Sequence, residues 1–163
     1  MSNARFDVII LASVDWDATR QRHQAFALQW AQAGHRVFFV ENAGFREPGL
    51  RDLGRVLTRL GRVFSVRSGK ASAAPRGVTV ISPLVLPPTR GLFREINARW
   101  LAGRLSGQLN AAGLRPDAVV FAYLPTATTL AILDRLSPSL VVYDCVDNFS
   151  GLPSPPPDLA ATE

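Results

Sequence analysis

Apolar residues in this chain gather into short, nearly continuous runs separated by amphipathic stretches. Phe6-Asp7-Val8-Ile9-Ile10-Leu11-Ala12 is rich in β-branched side chains and predicts a buried parallel strand. A polar loop follows, and a helix is expected to begin near Asp17 to Arg20. Phe26, Trp30 and Ala33 recur there at roughly helical spacing, with Ala27 and Ala31 beside them, and Gly34 is placed to end it. Arg36-Val37-Phe38-Phe39-Val40-Glu41 predicts the second strand. Strand, helix and strand in this order make a βαβ unit, whose crossover is expected to be right-handed.

Further along, Leu50 to Phe64 has amphipathic helical spacing. Leu50, Leu53, Val56, Leu57, Leu60 and Val63 share one face and Arg51, Arg55, Arg59 and Arg62 the other, while Gly54 and Gly61 weaken the pattern. Gly69 to Pro75 reads as a loop, Val78 to Ile81 as a short strand, and Pro83, Pro87 and Pro88 force an extended connection. A long helix is predicted over Leu92 to Ala112, stopped by Gly113 and Pro116. A buried strand (Ala118 to Tyr123), a short helix (Pro125 to Leu136) and a last strand (Ser139 to Tyr143) complete the pattern. The alternation predicts an α/β fold with a Rossmann-like, mostly parallel sheet flanked by helices. Residues 1–150 are expected to form that domain. Pro153, Pro155, Pro156 and Pro157 stiffen an exit segment in 151–163, where a further helix is expected to start.

Composition narrows the class. A length of 163 residues suits about one domain, and 47% hydrophobic against 19% charged residues gives a real core and excludes a disordered chain. The net charge of +5 comes almost wholly from arginine, because Lys70 is the only lysine. An arginine excess beside abundant Ala, Leu and Gly is also what a GC-rich genome produces, so no nucleic-acid partner is inferred. One cysteine, Cys145, excludes an intramolecular disulfide and a cysteine metal cluster, and fits a reducing cytosol. With His23 and His35 the only histidines, no metal site is expected. No apolar run approaches the roughly 20 residues that span a bilayer. Asp7 interrupts the N-terminal run, which is a strand's length and unlike a signal peptide.

Two polar clusters carry the candidate chemistry. Asp15-Trp16-Asp17-Ala18-Thr19-Arg20-Gln21-Arg22-His23 follows the first strand, and Tyr143-Asp144-Cys145-Val146-Asp147-Asn148-Phe149 ends the last. In open parallel sheets, ligands bind beyond the carboxyl ends of the strands. Ser13-Val14-Asp15-Trp16-Asp17 has none of the glycines that let a backbone approach a pyrophosphate, so a nicotinamide or flavin enzyme built on this strand is disfavoured. No Walker A motif, nucleophile elbow or zinc-protease helix motif is present. Asp15 and Asp17 either cap the helix or serve as hydroxyl-binding or general-base carboxylates. Arg20 and Arg22 oppose the dipole of a helix start, so a local ion pair with Asp15 or Asp17, or an anionic ligand, must compensate them. His23 is either a ligand contact or a polar surface histidine, and Trp16 either a core plug or a sugar-stacking platform. Asp144, Asp147 and Asn148 either shape a turn, with Asn148 left-handed, or bind ligand. Cys145 reads as a small buried packing residue. Arg51, Arg55 and Arg59 form either a solvated face or a basic helix face resting on an anionic membrane. Phe93, Arg94, Arg99, Trp100 and Arg104 form a second aromatic-basic candidate.

These pieces resemble the N-terminal half of a GT-B glycosyltransferase of the group 1, family 4-like type, closest to bacterial cell-surface polysaccharide and teichuronic-acid-type transferases. Trp16-Asp17 with Arg20-Gln21-Arg22-His23-Gln24, the segment Ala31 to Glu41, and Val142 to Phe149 carry the resemblance, which frames residues 6–149. One departure is the missing glycine-rich loop after the first strand. The resemblance implies an acceptor-binding domain whose own C-terminal domain holds a nucleoside-diphosphate sugar donor, with no bound cofactor or metal. It implies transfer to a lipid-linked or glycan acceptor, at the cytoplasmic side and peripheral to the inner face of the membrane, and inactivity of residues 1–163 alone. Asp17 and Asp144 are then the candidate catalytic residues. Asp15, Trp16, Arg20, Arg22, His23, Asp147 and Asn148 are the candidate substrate contacts. The alternatives are a non-enzymatic α/β ligand-binding or regulatory module and, disfavoured by the missing glycines, a nucleotide-dependent epimerase or dehydrogenase.

Overall fold

The computed structural model describes residues 5–41, 74–83, 95–148, 151 and 162. Five strands form one parallel sheet: β1 (Asp7–Leu11), β2 (Arg36–Val40), β3 (Val78–Ile81), β4 (Val119–Ala122) and β5 (Leu140–Tyr143). Their order is β3-β2-β1-β4-β5, and every neighbouring pair is parallel. Three α-helices are described: α1 (Arg22–Gln32), α2 (Ala102–Ala111) and α3 (Ala127–Leu136). The predicted α/β class, strand positions and parallel sheet are therefore those of the molecule.

The chain runs outward from β1 to β2 and β3, then returns to lay β4 on the other side of β1. A constant crossover hand requires the helices of the two halves to lie on opposite faces. They do: Ala27 of α1 packs with Val8, Ile10, Val37 and Phe39 on one face, and α2 and α3 pack on Ile9, Leu11, Phe38 and Val120 on the other. This explains why β1 reads as continuously apolar, since successive side chains enter two different cores and all five residues are buried.

Local chemistry sets the helix ends. The expected start of α1 near Asp17 to Arg20 moves to Arg22. Ala18 N–H first closes a turn on the Asp15 carbonyl at 3.1 Å, and the helix then opens with the Gln24 side chain accepting from Gln21 N–H at 2.9 Å. Asp17 is accordingly not its cap. Gly34, at φ +90°, ends α1 as predicted. The helix expected over Leu92 to Ala112 is described from Glu95 and is not uniform: a π-helical turn at Asn97–Leu101 precedes α2. Thr126 caps α3 by accepting from Thr129 N–H at 3.2 Å, and Ser137, at φ +44°, closes it.

At the amino edge of the sheet, Asp7 is fully buried, and its carboxylate accepts from Arg36 Nε at 2.9 Å, Arg36 Nη2 at 2.6 Å and Arg115 N–H at 2.8 Å. Arg36 Nη2 also donates to the Gly113 carbonyl at 2.6 Å. One carboxylate thus ties the starts of β1 and β2 to the turn that leads into β4. The helix predicted over Leu50 to Phe64, with Arg51, Arg55 and Arg59, lies outside the described residues, as does the proline segment 153–157.

Candidate functional site

The strand order reverses at β1, so the carboxyl ends of β1 and β4 flank a topological switch point. Beyond it the two backbones still touch, through Tyr123 N–H and the Leu11 carbonyl at 3.3 Å. His23, in the first turn of α1, is 2% exposed and brings its Nε2 to 3.1 Å from Ser13 Oγ. Its ring lies on that of Tyr123, centroids 3.9 Å apart. Tyr123 is fully buried, and neither its hydroxyl nor His23 Nδ1 has a hydrogen-bond partner among the described residues. Burial holds the His23 imidazole below its ordinary value; Asp144 opposes that shift and Arg22 adds to it, and the net effect is a neutral ring at pH 7. Burial raises the Tyr123 phenol; the Asp144 charge raises it further and Arg22 opposes this, and the hydroxyl faces the Asp144 carboxylate without reaching it in hydrogen-bond geometry.

Above this polar floor, Arg22 Nη1 meets Asp144 Oδ1 at 2.7 Å, with side chains 54% and 20% exposed. Arg22 therefore has a compensating carboxylate at the end of β5, 122 positions away in the chain. The pair joins the two sequence clusters across the switch point. It sits there because β4 and β5 run parallel and in register up to Ala122 and Tyr143, after which Asp144 N–H donates to the Ala122 carbonyl at 3.0 Å.

The β1–α1 loop is anchored on its other side by Glu41, just past β2. Its carboxylate accepts from Trp16 N–H at 2.8 Å and from the Ser82 hydroxyl. Trp16 is half-buried and packs edge-on against Phe39 at 4.9 Å, on the α1-side core. Gln24 Nε2 donates to the Asp15 carbonyl at 3.2 Å. Asp15 is half-buried, while Asp17 and Arg20 are exposed on the loop.

After Asp144 the chain turns outward. Asp147 and Asn148 are exposed, and Asn148 Oδ1 accepts from Gly151 N–H at 3.1 Å. The non-glycine residue with positive φ among the described residues is Ser137, so Asn148 is not the left-handed position the sequence suggested. Cys145, expected to be buried, is exposed, because it follows an edge strand whose Leu140, Val141 and Tyr143 are themselves exposed. On the outer surface, Arg104 lies over the exposed Trp100 ring at 5.7 Å, and Arg135 Nη2 donates to the Arg99 carbonyl at 3.0 Å. Phe93 and Arg94 lie outside the described residues.

Sequence reasoning thus found Arg22, His23 and Asp144, which the fold brings together at the switch point, with Asp15 and Trp16 on the adjoining loop. It missed Ser13, Tyr123 and Glu41, although each follows a strand's last residue or nearly so and obeys the same positional rule. Among the described residues no three His, Cys, Asp or Glu side chains gather to hold a metal ion, and no helix is long and apolar enough to cross a membrane.

Fold and crevice together define a Rossmann-like α/β protein with a polar site at its switch point. No protein-family model matches the chain, and neither a curated protein nor a solved structure matches it.

Proposed function

We propose that this chain is the acceptor-binding domain of a GT-B-type glycosyltransferase, moving a sugar from a nucleoside-diphosphate sugar to a lipid-linked or glycan acceptor. The observation that carries the reading is the Arg22–Asp144 pair, which unites the two motif clusters over the buried His23 and Tyr123 at the switch point. That is where an open α/β sheet binds ligand. The site offers hydrogen-bond donors, acceptors and an aromatic floor, a mixture suited to sugar hydroxyls. The glycine-free β1–α1 loop departs from the family pattern, and this reading leaves the donor phosphates to a second domain.

In this reading Asp144 accepts a hydrogen bond from the incoming acceptor hydroxyl, and Arg22 orients that carboxylate through the 2.7 Å contact. Asp17, exposed on the loop, is the second candidate carboxylate, and Asp15, Trp16, Arg20, Asp147 and Asn148 remain candidate contacts on the two segments that follow β1 and β5. The test compares residues 1–163 with the product of the complete reading frame. Both are given a panel of UDP-, GDP- and TDP-sugars and titrated with vesicles carrying polyprenyl-phosphate sugars. Acceptor binding by both with donor turnover by the complete product alone supports the reading. Turnover by residues 1–163 alone defeats the division of labour. Absence of turnover by the complete product moves the assignment to a non-enzymatic α/β binding module.

A further inference from the structure

The acceptor reading leaves open which part of a ligand enters the crevice: an uncharged sugar ring, or the phosphate that a lipid carrier or a nucleotide brings. The α1 amino terminus and Arg22 by themselves suit an anion. Three observations weigh against one. Asp144 sits 2.7 Å from Arg22 and neutralises it. The same carboxylate would repel a phosphate seated on Arg22. Next to the pair, the Tyr123 hydroxyl faces Asp144 and His23 Nδ1 has no hydrogen-bond partner among the described residues; the phenol is neutral at pH 7 and burial keeps the imidazole neutral too. A phosphate needs donors alone, whereas this crevice presents a cation, an anion and two neutral groups together.

Such a set matches a sugar hydroxyl, which accepts one hydrogen bond and donates another. We propose that the crevice binds the hydroxyls of an uncharged sugar ring, inserted between Arg22 and Asp144, and excludes phosphate. This rests on the reading of the switch point as the acceptor site. A hydroxyl that parts the pair accepts from Arg22 and donates to Asp144. The Tyr123 hydroxyl, which faces Asp144, belongs to the same set of groups. Arg22 is 54% exposed and stays hydrated as the pair parts, and the inserted hydroxyl replaces the contact that Asp144 loses. Satisfying buried polar atoms is favourable, because leaving them unmade is costly. Asp144 is then the selectivity element, since it both reads a hydroxyl and repels an anion.

The experiment is a titration of the chain, followed by the Arg22 Nε–H and the His23 and Asp144 amides in nitrogen-resolved NMR spectra. The probes are methyl glycosides of the common hexoses, inorganic phosphate and pyrophosphate, at equal millimolar concentrations. Saturable shifts with at least one glycoside and none with phosphate or pyrophosphate are expected. Asp144→Asn should weaken the glycoside at least 10-fold and create pyrophosphate binding, a reversal that a merely structural role would not give. Should that variant fold poorly, Tyr123→Phe should weaken the glycoside several-fold without any gain of phosphate binding. Phosphate binding by the wild type, or no response to any glycoside, overturns the proposal. Glycoside binding with no turnover by the complete product would instead sink the transferase reading and leave the sugar site standing.

Discussion

Replacing Asp7 with Asn keeps the volume of a fully buried side chain and removes its charge, so the effect isolates the ionic tie at the amino edge of the sheet. Three donors converge on the carboxylate: Arg36 Nε, Arg36 Nη2 and Arg115 N–H. An amide retains one acceptor oxygen and turns an N–H2 toward the guanidinium. One or two charge-assisted bonds are lost, each worth about 1.5–3 kcal/mol. Arg36 is 46% exposed and regains water, which keeps the penalty below that of stranding a buried cation. The expected loss is about 2–4 kcal/mol at pH 7, a fall in Tm of about 4–16 °C for a chain of this size. The pH dependence follows from the same contacts. Burial alone would raise the Asp7 carboxyl, but the Arg36 hydrogen bond, the Arg115 N–H and the charges of both arginines outweigh it and hold it below 3.8. The folded value is the lower one, so the stabilisation is present above the unfolded value and is lost as pH falls through the folded value. Urea titrations followed by tryptophan fluorescence at pH 7, 5 and 3 should show a constant gap between wild type and Asp7→Asn at the two higher values and a narrower one at the lowest. A gap below about 1 kcal/mol at pH 7, or one independent of pH, would refute the reasoning.

His23 gives a pH dependence in a different window: its folded value lies below 6.5, so stability is complete above pH 6.5 and declines as pH falls toward that lower value. The slope should approach but not exceed about 1.4 kcal/mol per pH unit, and His23→Gln should flatten it; equal slopes for both proteins between pH 7.5 and 5 would exclude the burial argument. Tyr123→Phe deletes a buried hydroxyl with no partner among the described residues, so thermal unfolding should show unchanged or increased stability, by up to about 1 kcal/mol. A clear loss would mean that the hydroxyl is satisfied in solution. Thr126→Ala removes the α3 cap and should cost about 1 kcal/mol by chemical denaturation, while Thr126→Ser should cost little.

The sequence by itself determined the class and the strand positions. β1, β2 and β4 are covered on both faces, and that double burial writes itself as unbroken apolar runs such as Val8 to Leu11. It also put the two polar clusters on one edge, because polar residues directly after such runs fall on one edge of a parallel sheet. Tertiary structure decided the rest. The start of α1 at Arg22 follows a turn closed by Ala18 on Asp15, in a loop whose Trp16 N–H reaches Glu41, just past β2. Helix electrostatics alone points to a partner for Arg22 among its neighbours, but Asp144 lies 122 positions away and becomes adjacent only when β4 and β5 pair beside β1. The burial of His23 and Tyr123 was invisible for the same reason, since it arises where α1 is laid across the reversal of strand order. Periodicity records which face of an element is dry, whereas pairs distant in the chain are chosen by sheet order, and sheet order leaves no local trace in the chain.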